Sequence, residues 1–317
     1  MAVAKKEKKK KKKQRNIVAD WLGYAAMRVG LFILCLFPVR WNLRFACFLG
    51  TQMWKHYERG RIRAMDNLRA SFPEKDQAWL EATGLRSFQQ IVMLTIDVFF
   101  TPRLLAKDNW RKYIKPINIE RAKWTSKENK GLLMLTGHYG NFEITGYLLG
   151  QFFYNVYSIA RPLDNPYINK YLYGIREAKG QKIINKKGAT EEMVQLIEDG
   201  ATLCFVSDQD AGRKGVFVDF FGRAASSYKS IGLLAIQYNL PIAVGGCRRV
   251  GNDYSFEIEV SRMIEPCEWA DKDKPLEWLT QEYTKALEDF IRKDPSQYWW
   301  LHRRWKTRPK EERKNIQ

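Results

Sequence analysis

Histidine is scarce in this chain: there are three among 317 residues, His56, His138 and His302. The five cysteines, Cys35, Cys47, Cys204, Cys247 and Cys267, form no C-x-x-C pair. A zinc framework, which needs Cys and His at short fixed spacings, is therefore not expected, and no metal is indicated. An odd number of thiols set in apolar runs also argues against a disulfide scaffold and fits a reducing compartment. The chain lacks a G-x-x-x-x-G-K-[ST] loop and a G-x-G-x-x-G turn, so no nucleotide and no cofactor is expected. It lacks a G-x-S-x-G elbow and a Cys–His signature too, so no protein nucleophile is indicated.

Acidic residues are in deficit. Asp and Glu number 35 against 54 Lys and Arg, a formal charge of +19. The excess is uneven: residues 1–16 hold eight Lys and one Arg against one Glu, and residues 302–317 hold seven Lys or Arg against two Glu. Such blocks are solvated and drawn to anionic surfaces, either nucleic acid or the cytoplasmic leaflet of a membrane. The next segment decides between them. WLGYAAMRVGLFILCLFPV, residues 21–39, carries one charge, Arg28. It approaches the ~20 residues that a spanning helix needs, and no small-residue cleavage site follows it. The reading is a basic disordered tail over 1–16, then an uncleaved membrane anchor helix over 17–40. That helix either spans the membrane or lies in the interface with Arg28 snorkelling, and the basic block before it stays cytoplasmic. A buried core helix is the alternative, and polylysine is a poor neighbour for one.

The whole chain is 45% hydrophobic and 14% aromatic, enough for a sizeable core. Residues 41–100 read as helical, with ERGRIRAMDNLRASFPE followed by the more apolar DQAWLEATGLRSFQQIVMLTIDVFF. From residue 130 short apolar runs alternate with amphipathic stretches. GLLMLTG, NVYSIAR, QKIIN, ATLCFVSD, PIAVGGCRR and YSFEIEV read as strands, separated mostly by helices, with a last helix over 274–294. The predicted fold class is α/β: a central, largely parallel sheet flanked by helices, with an N-terminal membrane-anchoring helix. One domain is expected over 41–310, with a polar tail over 311–317.

Against this scarcity of histidine, TGHYGNFE places His138 directly after a strand, where α/β proteins carry functional residues. A lone histidine is more often a satisfied neighbour of the core, but the flanking Gly137 and Gly140 permit a tight turn and close backbone approach. Glu143 is the nearest acid. On one continuous helix, residues five apart diverge by ~140°, so the two side chains would not meet. With His138 in the loop and Glu143 in the first helical turn, the carboxylate can fold back onto the imidazole and hold its tautomer. That is the architecture of a general base. Arg161 follows the strand NVYSIA, Asp208-Gln209-Asp210 follows ATLCFVS, and Arg223 lies in VFVDFFGRAASS. These strand ends can converge on the His138 loop, where an arginine binds a phosphate or stabilises an oxyanion. Capping and turn chemistry is an equal reading for the aspartates, and an exposed loop cation for Arg223.

TGHYGNFE matches the H-x-x-x-x-D/E signature of glycerolipid and glycolipid acyltransferases, in the lysophospholipid-acyltransferase-like superfamily. With MDNLRASFPE, ARPLDNP, SDQDAGRKGVFVDFFGRAASS, PIAVGGCRR and QYWWLHRRWKTRP, in that order, the chain resembles the lipid A biosynthesis (late) acyltransferase family. The resemblance implies an enzyme of the cell inner membrane with its site facing the cytoplasm. It would move a fatty acyl chain from acyl carrier protein to a hydroxyl of a lipid A precursor or related glycolipid. By the same resemblance His138 is the base and Glu143 its partner, while Arg161, Asp208, Gln209, Asp210, Gly222 and Arg223 bind substrate. An anionic membrane and an acidic carrier protein suit both basic ends, and no nucleic acid is expected. The alternatives are a different acceptor, such as a mannosylated or phospholipid, or a non-enzymatic membrane-tethered binding protein using its basic tails.

Overall fold

The computed structural model describes residues 15–121, 131–152, 155–178, 180–185 and 189–314. The lysine block of the expected tail lies outside these residues, as do residues 315–317.

Asn16 caps the first helix, accepting hydrogen bonds at Oδ1 from the backbone of Val18 and Ala19. That helix, α1 (Ile17–Cys35), is long and apolar enough to cross a membrane. Pro38 turns the chain into α2 (Val39–His56), which leads to α3 (Glu58–Ser71) and, after an Asp76 cap, α4 (Gln77–Leu104). Helices α2 and α4 press together where Gly50 meets the second helix. A Cβ at Gly50 would stand 2.5 Å from the Gln89 Cα, so only glycine fits.

The chain then builds a seven-stranded sheet. In sequence its strands and connections are β1 (Ile114–Ile117), β2 (Leu132–Thr136), α5 (Phe142–Phe152), β3 (Val156–Ala160), α6 (Pro166–Glu177), β4 (Lys182–Asn185), α7 (Ala189–Glu198) and β5 (Thr202–Val206). A separate hairpin, β6 (Val216–Phe220) with β7 (Arg223–Ser227), precedes α8 (Lys229–Tyr238). Strands β8 (Ile242–Arg249) and β9 (Phe256–Ile264) complete the sheet, and α9 (Pro275–Arg292) and α10 (Lys310–Lys314) follow. Strand order is β1-β9-β8-β2-β5-β3-β4, parallel throughout except for the β8–β9 pair. The expected α/β class is the observed one. All five residues of β2 are buried, as a central strand covered on both faces requires. Two features were not anticipated. IKPI is a four-residue edge strand with a proline, too short to carry a pattern, and RAASS becomes a strand only by pairing with VFVDF.

A buried ion pair ties the helical layer to the sheet. Asp97 in α4 meets Arg249 at the end of β8, both side chains almost fully buried. Arg249 also donates to Gln90 Oε1 (3.2 Å) and to the Asp253 carbonyl (2.6 Å). Asn141 Nδ2 donates to the same carboxylate at 2.8 Å, while its Oδ1 accepts from the Ile144 N–H and so caps α5. Gln297 bonds the Arg249 backbone on both sides, at 2.8 and 2.9 Å. Removing one partner of such a pair strands a buried charge, which costs about 3–5 kcal/mol. Asp97→Ala is expected to lower unfolding stability by that order in detergent-solubilised protein, read from urea midpoints. A loss below about 1 kcal/mol would mean the pair carries little of the fold.

Candidate functional site

His138 lies two residues beyond the end of β2, and Asp208 two residues beyond the end of β5. The register that pairs Thr136 with Val206 brings both to one point above the sheet. Asp208 Oδ1 lies 2.7 Å from His138 Nδ1, and Asp208 Oδ2 accepts the His138 backbone N–H at 2.8 Å. The carboxylate is wholly buried and the imidazole nearly so. Burial alone would raise the Asp208 carboxyl; the charge and hydrogen bonds of His138, with the charge of His302, outweigh it and hold it well below the usual carboxylate range. An ionised Asp208 fixes the proton on Nδ1 and leaves Nε2 as the lone pair that can accept another.

The loop between β2 and α5 is held from three sides. Gly137 makes room for Asp208, since a Cβ there would stand 3.2 Å from its Oδ2. Gly140 has φ +54°, and a Cβ would sit 2.2 Å from the Cys247 carbonyl. The C-terminal segment runs beside the loop: the Gly140 N–H donates to the Gln297 carbonyl and the Trp299 N–H donates to the His138 carbonyl, both at 3.1 Å. It also delivers two side chains that the sequence reading did not single out. The rings of Trp299 and His302 lie 5.0 and 4.5 Å from the His138 ring, and Phe142 lies 5.2 Å away on a third side. The available signal was a second scarce histidine set among tryptophans in QYWWLHRRW. Contact between His302 and His138 needed the fold. His138, Asp208 and His302 each offer a ligand atom, all within 4.8 Å of one another, so this trio is also the place where a metal ion could be held.

The other predicted positions fall differently. Glu143 is in the first turn of α5 as expected, but its carboxylate does not fold back on His138. Arg176 of α6 grips it with two hydrogen bonds, at 2.8 and 2.5 Å. A guanidinium fork matches a carboxylate better than a ring edge does, and Asp208 already occupies Nδ1. The expected His138–Glu143 contact is therefore replaced by His138–Asp208. Glu143 and Arg176 instead line a cleft between α5, β3 and β5 of mixed character, with Phe142, Leu149 and Ile159 beside Thr145, Ser158 and Gln181. Arg161 stands exposed after β3, 3.6 Å from Asp164. Gln209 and Asp210 turn to the C-terminal segment: Arg304 donates to the Gln209 carbonyl at 3.2 Å, and Thr307 donates to Asp210 at 2.8 Å. Gly222, at φ +70°, makes the turn of the β6–β7 hairpin. Arg223 beside it donates to Ser71 Oγ at 2.8 Å and stacks 3.5 Å over the Trp305 ring. Burial and the neighbouring Arg308 lower its pKa to about 10.

The charge of His302 depends on folding. Burial first, and the His138 charge next, push its pKa from 6.5 down to about 4, with Asp208 opposing. Between these values the unfolded chain binds more protons than the folded one, so stability rises with pH through that window. Asp208 contributes no slope there; its stabilisation is lost only below the ordinary carboxylate range of ~4. Wild type should lose stability from pH 7 to pH 5, with His302 contributing at most about 1.4 kcal/mol per pH unit. His302→Gln should flatten that part of the curve, measured by urea midpoints across the range. An unaltered slope would sink the assignment of a neutral, half-buried His302.

Residues 5–307 match the model of a family described as bacterial lipid A biosynthesis acyltransferase. Curated relatives match over nearly their whole length. The lipid A biosynthesis lauroyltransferase of Escherichia coli (strain K12) is 24% identical over 297 residues, covering 91% of this chain and 92% of its own. The palmitoleoyltransferase of the same organism is 24% identical over 306 residues, covering 91% of each. A lipid A biosynthesis acyltransferase of Haemophilus influenzae is 24% identical over 308 residues, covering 93% of each. A match that takes in the strands, the His138 loop and the C-terminal segment leaves no part of the site outside it: the chain belongs to the bacterial lipid A biosynthesis acyltransferase family.

Proposed function

We propose that this acyltransferase moves a fatty acyl chain from an acyl carrier protein thioester to a hydroxyl of a lipid A precursor, with His138 as general base. The observation that carries the mechanism is the 2.7 Å contact between His138 Nδ1 and a buried Asp208. Nε2 takes the proton of the acceptor hydroxyl as its oxygen attacks the thioester carbonyl. The tetrahedral intermediate then collapses, the C–S bond breaks, and the imidazolium returns the proton to the leaving thiolate. Asp208 orients the ring and offsets its positive charge while the proton is held. Neutral His302 spares that imidazolium a like-charged neighbour. Phe142 and Leu149 give the cleft beside α5 an apolar wall along which an acyl chain can lie, and the Glu143–Arg176 pair lines the same cleft. The reading sets the enzyme at the cytoplasmic face of the inner membrane.

General-base catalysis contributes about 10²–10⁴-fold. His138→Ala should lower transfer by that factor without unfolding the protein, assayed by mass spectrometry of the glycolipid product. Asp208→Asn should cost a comparable factor. The double variant should be no worse than His138→Ala, because the two act as one unit. Full activity in either folded single variant, or multiplicative losses in the double, would refute the dyad.

Cations surround the C-terminal side of the site. Arg213, Lys214, Arg303 and Lys306 are exposed on the two segments that Arg304 and Thr307 clamp together. An acidic carrier protein docking there is steered by charge. Charge reversal at Arg303 and Lys306 should raise KM for the acyl donor several-fold and weaken its dependence on salt, with kcat little changed. Salt-insensitive KM in the wild type would contradict docking by charge.

A further inference from the structure

Helix α1 is apolar on its outer face as well as on the side that meets the body. Asp20, Tyr24, Met27, Leu31, Leu34 and Cys35 form a stripe at helical spacing, and these are the residues turned toward the body. Asn165 Nδ2 donates to the Asp20 carbonyl at 2.7 Å. The Tyr24 ring lies 6.0 and 6.3 Å from those of Tyr167 and Tyr171 in α6, and Arg28 stacks 4.8 Å over Tyr171. At the other end Leu34 and Cys35 pack on the core beside α4, and Asn42 Nδ2 bonds the Leu34 and Phe37 carbonyls at 2.8 and 3.3 Å. The helix is thus fastened at both ends and along its length. Its outward face carries Trp21, Leu22, Val29, Phe32, Ile33 and Leu36, each at least half exposed.

Helix α2 repeats the pattern. Leu43, Ala46 and Gly50 are buried, while Trp41, Phe45, Phe48 and Leu49 point outward at 60, 50, 55 and 40% exposure. Phe37 stacks with Trp41, and Phe45 with Phe48, on this outer side. Arg44 rises exposed among them. A surface helix of a water-soluble body keeps its outer face polar. Here two successive helices carry large apolar side chains outside, clustered and not scattered singly.

We infer that α1 and α2 together form an in-plane membrane seat, so that the chain rests in one leaflet and α1 does not cross the bilayer. The hydrocarbon core is ~30 Å thick, about the 19-residue length of α1 at 1.5 Å per residue. A spanning α1 would carry its partner α6, with Lys170, Arg176 and Glu177, into hydrocarbon, where charged groups are excluded. An in-plane α1 leaves α6 in water and puts Arg44 at headgroup depth, its stem along the aromatic rings. It also settles the side. Lysine-rich segments stay cytoplasmic; a single crossing would put the body opposite residues 1–16, whereas an in-plane helix leaves both on one face.

Two measurements on the full chain in native membranes test this. In the first, photo-crosslinking p-benzoylphenylalanine replaces Trp41, Phe45 or Phe48, with Ile62 of α3, 51% exposed, as control. Lipid adducts at 41, 45 and 48 but not at 62 are expected. No lipid adducts at the three, or adducts to a second copy of this chain, would overturn the seat. In the second, an N-terminal epitope and the exposed Cys267 are probed with impermeant reagents in sealed vesicles of both orientations. Protection of both on the same side is expected; opposite sides would make α1 a spanning helix. Neither readout uses transfer activity, so failure here is separable from failure of the proposed reaction.

Discussion

The buried Asp97–Arg249 pair holds several parts of this protein in one arrangement. One carboxylate and one guanidinium join α4, the end of β8 and the start of α5 through Asn141, and the C-terminal segment through Gln297. Each of those elements carries or braces part of the His138 site. A charge pair taken out of water is seldom chosen for stability alone. Its directional hydrogen bonds set four chain segments in one arrangement, which hydrophobic contact, being non-directional, does not do.

The dyad itself follows from sheet topology. Parallel neighbours β2 and β5 end level, and each presents a side chain two residues on. The loops beyond them are then shaped by small residues: Gly137 admits Asp208, and Gly140 takes a conformation and a clearance that no side chain allows. Around this polar pair stands a wall of Phe142, Trp299 and His302, which restricts the imidazole and excludes water from one side.

Much of this was legible in the sequence. The apolar runs LLMLT, VYSIA and TLCFV became β2, β3 and β5 because buried parallel strands need unbroken hydrophobicity. His138 was found by its rarity and its position after such a run. Its partner was misread, since spacing along the chain favoured Glu143 whereas pairing is decided by which strand lies next to β2. Sheet order leaves no trace in hydrophobic period. For the same reason Arg176 was not seen as the cation that takes Glu143, nor Asp97 as the anion for Arg249: their partners lie 33 and 152 residues away. The run at 21–39 was correctly read as apolar and uncharged but for Arg28. That Tyr24 and Arg28 meet the tyrosines of α6 depends on α6, and no reading of α1 alone could supply it.

The C-terminal clamp has a consequence for the order of synthesis. The apolar faces of α1 and α2 leave the ribosome first, while Trp299, His302 and the Arg304 that pins Gln209 come last. The His138 loop lacks one wall, and its backbone lacks two hydrogen bonds, until that final segment has folded back. A nascent chain can therefore meet a surface long before the His138 loop is walled in, and that loop is completed only when nearly everything else is in place.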